Sequence, residues 1–345
     1  MVAAGCGGGG AADAAAERVT EAACAGHRTA AVQDWIEPMT PAPTAQLPVT
    51  VTDHMNNEVT VSDSTRILAL DRYGTLASTV YALGLGDRLV GRDVSTVIPD
   101  LEELPLVTQG GHNLSAEAVL NLDPTVILTD LSIGPLEVQQ QLIDSGIPVV
   151  FMDDKRSVDT IDEQIRAVAD VLGVSGRGAE LADRVTAEVA DAKAELAAKI
   201  DASGRDPLRL VFLYLRGTAG IFYWFGEGSG ADDLIASLGG TDVAKEVDVD
   251  GYTPINAEGL IKADPDMFLL MTGGLESIGG VDGLADIPGV AETSAGINEC
   301  VVDMSDGQIL SFGPQYPSTL RALGEAVYPP NADGSAKPSS VGADS

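Results

Sequence analysis

The sequence predicts two Rossmann-like α/β lobes joined by a single long helix, with a ligand cleft between the lobes. Three observations predict this. Between residues 66 and 152, short apolar runs alternate with helical patterns, as in a mostly parallel sheet with crossover helices. Residues 158–200 then read as nearly continuous helix. Finally, two phrases of the first half recur in the second. Residues 115–128 match 256–269 at Ala, Glu, Asp, Pro and Leu, and 66–74 match 209–217 at nearly the same offset. The length of 345 residues accommodates two ordinary domains.

Residues 1–46 are expected to form a flexible tether, since they run through Gly, Ala, Thr and Pro. Ala3-Ala4-Gly5-Cys6 resembles the small-small-Cys site at which bacterial lipoproteins are lipidated, so Cys6 is the expected lipid anchor. With Cys6 set aside, Cys24 and Cys300 remain. An exported protein could pair them, and two free thiols are the alternative.

The first lobe is expected over 47–157. Residues 47–61 alternate around Asn56-Asn57, a hairpin pattern, because Asn tolerates the positive φ of such a turn. Strands are expected at 67–70, 89–91, 125–128 and 148–152, with helices at 75–83, 116–122 and 135–145. Ser115 is the expected cap of the middle helix. Over 158–201 one helix ends at Gly173 and another opens at Gly178. In the latter Leu181, Val185, Val189, Leu196 and Ile200 form one apolar stripe. It is the expected link to a second lobe over 208–328, and 329–345 reads as a disordered tail.

Acidic residues number 52 against 20 basic ones, a formal charge of −32. That excludes a general nucleic-acid binder and argues against adsorption to anionic lipid. No apolar run reaches the roughly 18 residues of a bilayer-spanning helix. Cys-x-x-Cys-His, Gly-x-Ser-x-Gly and the Walker lysine motif are absent. Covalent heme attachment, that hydrolase chemistry and an ATPase within this chain are therefore not expected.

These elements resemble the substrate-binding components of ABC importers, in the helix-linked class (class III) that carries siderophores, cobalamin and heme. Residues 66–71, 82–91, 116–124 and 158–200 carry the resemblance, which covers about 48–328. It implies capture of a ligand in the cleft and no chemistry on it, so the chain is not expected to be an enzyme. It also implies partners, an ABC permease with its ATPase subunits. In this class a glutamate on each lobe docks into basic sockets of the permease. The matching residues are the repeated Glu117 and Glu258, which as first-turn glutamates also suit a helix dipole.

Ligand chemistry narrows the class. Of the three histidines, His27 lies in the expected tether, His54 beside the hairpin turn, and His112 between Gly110-Gly111 and a helix start. In this fold the last position opens onto the cleft. Tyr214 and Arg216 fall two apart in an extended run and so share a face. Tyrosine binds Fe(III) best as phenolate, and a guanidinium beside it favours that form.

His112, Tyr214 and Arg216 are similar to the site of the heme-binding lipoproteins of actinobacterial heme importers, the HmuT type. There a histidine and a tyrosine from opposite lobes hold the iron, and an arginine supports the tyrosine. Tyr252 and Met271 match further pocket residues, with Tyr252 the second candidate for the axial tyrosine. The implied ligand is heme, Fe(III) protoporphyrin IX, carried on the outer face of the cell membrane, with heme-donor proteins as possible suppliers. One face of 221–225 is a candidate pocket lining, with core packing the alternative. Arg72, Arg92, Lys155 and Arg216 are all candidate propionate partners. A ferric-siderophore or cobalamin carrier is the alternative within the class. A two-lobed chelatase and an adhesion protein with an empty cleft are the alternatives outside it.

Overall fold

A computed structural model describes residues 24–204 and 206–329. The chain begins with strand β1 (His27–Ala30), then the hairpin β2 (Val49–Thr52) and β3 (Glu58–Val61). Asn56 turns that hairpin at φ 63°, as its sequence requires. The first lobe is built on β4 (Ile67–Leu70), α1 (Thr75–Val80), the short pair β5 (Thr108–Gln109) and β6 (Asn113–Leu114), α2 (Ala116–Leu120), β7 (Val126–Thr129), α3 (Leu136–Asp144) and β8 (Val149–Phe151). Strands β4, β7 and β8 form a parallel sheet in that order. All four residues of β4 and of β7 are buried, because helices cover both faces of such a sheet. Residues 89–91, expected as a strand, contribute only an isolated bridge from Leu89 to Ile67. Helix α2 is capped by the Ser115 hydroxyl, which accepts from the Ala118 N–H at 3.3 Å.

Helix α4 (Ile161–Val171) ends at Gly173, whose φ is 70°. Helix α5 (Ser175–Ser203) follows. Its 29 residues span about 43 Å. The expected stripe is buried at Leu181, Val185, Val189 and Leu196. It packs on α4 in the first lobe and on the last helix of the second.

The second lobe comprises β9 (Arg209–Arg216), β10 (Ile221–Phe225), α6 (Ala231–Ser237), β11 (Thr241–Asp242), β12 (Tyr252–Pro254), α7 (Ala257–Ala263), β13 (Met267–Met271), the short helices α8 (Thr272–Glu276), α9 (Val281–Leu284) and α10 (Ser294–Ile297), β14 (Val301–Met304) and α11 (Tyr316–Val327). Its sheet runs β1-β14-β13-β9-β10-β12, parallel through β9 and antiparallel beyond it. The repeat has a structural counterpart. Asn256 caps α7 as Ser115 caps α2, and the aspartates before the two repeated prolines, Asp123 and Asp264, both have positive φ, 45° and 41°.

The N-terminal segment departs from expectation. Residues 24–46 are not a free tether. His27–Ala30 is an edge strand of the second lobe, and Cys24 is disulfide-bonded to Cys300. His27 lies in that strand, with Nε2 2.6 Å from Asp303 Oδ1. The following residues strap both lobes. The Ile36 N–H donates to Gln315 Oε1 at 2.6 Å in the second lobe. The N–H groups of Met39 and Gln46 donate to the carbonyls of Ala82 and Gly173 in the first. Each contact pairs residues far apart in sequence, so local composition gave no sign of it. Cys6 and the tail beyond Pro329 lie outside the described residues, although Tyr328, at the edge of that expected tail, is 9% exposed.

The lobes meet on their inner faces. Thr75 Oγ1 lies 3.4 Å from Ser311 Oγ. Gly307 approaches the Ser95 carbonyl so closely that a Cβ there would lie 2.4 Å from that oxygen. Among the described residues, no helix is long and apolar enough to cross a membrane.

Candidate functional site

A cavity of about 580 Å³ opens between the lobes. That volume lies within the usual range for small-molecule sites. His112, Tyr214, Arg216, Tyr252 and Met271 all line it. The chain delivers each from a different structural device.

His112 sits in the turn between β5 and β6. Gly110 and Gly111 precede it with φ of 54° and 98°, which brings the chain around to the cleft. Its Nδ1 is buried and has no hydrogen-bond partner among the described residues. Burial depresses the imidazole pKa below its ordinary value, and the nearby Arg72 and Arg216 add to this against the opposing pull of Asp71 and Asp306. The ring is therefore neutral near pH 7, the form that can ligate a metal.

Tyr214 and Arg216 face the cavity from β9, whose alternate residues Leu213 and Leu215 are buried. Arg216 Nε donates to the Tyr214 hydroxyl at 2.7 Å, and the guanidinium carbon lies 5.6 Å from the ring centroid. The same alternation operates on β10. Tyr223 and Phe225 line the cavity, while Trp224 is core. Tyr223 stands opposite Tyr214 in the antiparallel register. Phe225 stacks on Tyr214 at 5.4 Å and meets Tyr252 edge-on at 4.6 Å. Tyr252 opens β12 and is 55% exposed, and Met271 closes β13.

Of the four candidate cations, Arg72 and Arg216 line the cavity. Arg92 and Lys155 do not. Arg92 Nε instead donates to the Glu102 carbonyl at 3.1 Å, and Lys155 lies in the loop after β8. Glu117 and Glu258 are also outside the cavity lining, each exposed in the first turn of its capped helix.

Sequence reasoning missed Tyr73 and Asp306, both in the cavity wall. The repeat held a signal for Tyr73, since the offset that aligns Gly74 with Gly217 also aligns Tyr73 with Arg216. Burial and the Tyr252 hydroxyl across the cleft both raise the Tyr73 pKa, so Tyr73 stays a neutral phenol. Behind it lies a buried ionic network. Arg156 pairs with Asp71 at 3.2 Å and with Asp130, and it lies 5.4 Å from the Tyr73 ring centroid. Asp71 accepts the N–H groups of Tyr73, Thr75 and Leu76, which fixes the start of α1. Asp93 accepts from Ser95 and Thr96 and fixes the adjoining wall. Burial, reinforced by Asp71, pushes Asp93 up to about 7 and Asp130 up to about 6.

The arrangement brings a nitrogen donor, His112, and an oxygen donor, Tyr214, from different lobes to one cavity whose wall includes Tyr73, Tyr223, Phe225 and Tyr252.

Comparison with known proteins adds the following. The model of a periplasmic binding protein family matches residues 73–306. An uncharacterized ABC transporter substrate-binding lipoprotein of Bacillus subtilis, YvrC, is 24% identical over 290 residues, covering 83% of this chain and 87% of that one. The crystal structure of the heme binding protein HmuT is 42% identical with a TM-score of 0.84, covering 89% of this chain and 99% of that one. Further structures of HmuT carry alanine at a histidine, at a tyrosine, and at an arginine two positions after that tyrosine. The periplasmic heme-binding protein RhuT of Roseiflexus sp. RS-1, in its apo form, is 37% identical with a TM-score of 0.70, covering 77% of this chain and 98% of that one.

Proposed function

The chain belongs to the periplasmic binding protein family, and on that premise we propose that it captures ferric heme in the inter-lobe cleft and hands it to the permease of an ABC importer. One observation carries the reading. A single cavity receives an imidazole, His112, from one lobe and the hydrogen-bonded pair Tyr214–Arg216 from the other. The 42% identity to HmuT, whose histidine, tyrosine and arginine variants have been solved, supports the same ligand.

His112 and Tyr214 are the axial ligands of the iron in this reading. The Arg216 N–H, donated to the phenol oxygen, stabilises the phenolate that Fe(III) prefers. Phe225, Tyr223, Tyr252 and Met271 supply apolar and aromatic contact for the macrocycle. Tyr252 is the second candidate for the axial oxygen. Among the described residues no arginine is bonded to its hydroxyl, which favours Tyr214. Glu117 and Glu258, one exposed on each lobe, dock the loaded protein on the permease, and ATPase subunits power release. Cys6 carries the lipid that holds the protein at the outer face of the cell membrane, where heme-donor proteins can reach it. The disulfide Cys24–Cys300 suits that oxidising location. The protein performs no reaction on the heme. Movement between the lobes is small, because α5 and the strap of residues 31–46 both cross between them.

Titration of the purified protein with hemin, read by visible absorption, tests this. A saturable spectrum of coordinated ferric heme at near-equimolar ligand is expected. No saturable change with hemin, together with binding of a ferric siderophore or cobalamin, would reassign the cleft to that cargo.

A further inference from the structure

We propose that Arg72 and the side cavity next to it bind a carboxylate of the carried porphyrin, so that Arg72 selects for ligands bearing free propionates. The inference rests on the heme reading above and goes beyond it in choosing among the candidate cations and assigning a subsite.

A second cavity of about 360 Å³ adjoins the main one, and Arg72 and His112 belong to the walls of both. Among the described residues no Asp or Glu lines it, in a chain whose formal charge is −32. Asp306, by contrast, lines the main cavity. An anion entering the side cavity therefore meets a cation and no carboxylate in the same wall.

Arg72 is held in place by two bonds to one residue. Its backbone N–H donates to Ser132 Oγ at 3.0 Å, and its Nε donates to the Ser132 carbonyl at 2.9 Å. Ser132 is itself fixed, since its N–H donates to Asp130 Oδ1 at 2.9 Å and its hydroxyl bonds the same oxygen. Asp130 is anchored in turn by Arg156. The buried Gln139 ties down the rest of the loop, with Nε2 donating to the carbonyls of Asp130 and Ile133 at 3.0 Å each.

All of this occupies one edge of the Arg72 guanidinium. The two terminal nitrogens have no hydrogen-bond or ion-pair partner among the described residues. A guanidinium fixed through Nε with both terminal nitrogens unpaired suits a carboxylate taken in two parallel bonds, and little ordering cost remains to be met on binding. Arg216, the other cation of the cleft, already gives its Nε to Tyr214.

The test compares hemin with ferric protoporphyrin IX dimethyl ester in one detergent buffer, on wild type and Arg72→Gln. Charge-assisted hydrogen bonds of this kind correspond to about a tenfold or larger change in affinity. Wild type is expected to bind the diacid at least about tenfold more tightly than the diester. Arg72→Gln is expected to lose that factor for the diacid alone, with the iron spectrum unchanged. Equal affinity of wild type for diacid and diester would overturn the proposal. So would an Arg72→Gln protein that keeps the preference, or one that loses affinity for both ligands equally. If wild type binds neither, the heme function falls and the subsite with it.

Discussion

Replacing Arg156 by Met tests how the cleft wall is held. The Arg156 side chain is 3% exposed, and its partners Asp71 and Asp130 are both fully buried. The substitution keeps the aliphatic volume and removes the charge, which leaves two buried carboxylates without their cation. Breaking a buried pair in this way costs about 3–5 kcal/mol, and the lost contact with the Tyr73 ring adds about 0.5–1 kcal/mol. A loss of about 4 kcal/mol at pH 8 is therefore expected. The pH dependence has a definite sign. Without Arg156 the folded pKa of Asp130, already pushed up to about 6 by burial and Asp71, rises further above the unfolded value of about 3.9. The folded state then binds protons that the unfolded state releases, so stability increases as pH falls toward that value. Urea unfolding followed by tryptophan fluorescence at pH 8 and pH 5 reads both effects. The deficit of the variant should shrink at pH 5. A deficit below about 1 kcal/mol at pH 8, or one equal at both pH values, would refute the reasoning.

Three further outcomes are expected. Cys24→Ser should lower stability by about 2–5 kcal/mol, since the bond closes a sequence separation of 276 residues; reductant should lower the denaturation midpoint of wild type and leave that of the variant unchanged. Because burial and two arginines depress the His112 pKa, and coordination to iron competes further with protonation, any loss of the histidine from bound heme should have its midpoint below the usual imidazole value of about 6.5. A histidine-loss spectrum appearing with a midpoint near 6.5 would contradict the burial argument. Glu117→Lys and Glu258→Lys should leave heme affinity unchanged and abolish uptake by cells, because both carboxylates are exposed and outside the cavity; normal uptake by the double variant would exclude them as docking residues.

Features governed by short-range rules were readable from the sequence. Asn56 turned the hairpin, Ser115 capped α2, and the four- and seven-residue spacing from Leu181 placed the buried stripe of α5. The two-residue spacing of Tyr214 and Arg216 placed both on one face of β9, and the 2.7 Å bond between them follows from it. What could not be read depends on partners remote in sequence. Arg156 meets Asp71 across 85 positions, and Gln315 holds Ile36 across 279. No local pattern records such pairs. Residues 24–46 looked like tether for that reason. The choice between Arg72, Arg92 and Lys155 was closed to sequence as well, because it turns on which loops face the cleft.

The central claim is that one iron is held from both lobes. Hemin spectra of His112→Ala, Tyr214→Ala and Tyr252→Ala, set against wild type, test it most directly. The account predicts that the first two change the coordinated spectrum and that Tyr252→Ala leaves the iron coordination as it is in wild type. An unchanged spectrum in His112→Ala, or loss of the tyrosinate signature in Tyr252→Ala with Tyr214→Ala unaffected, would contradict it.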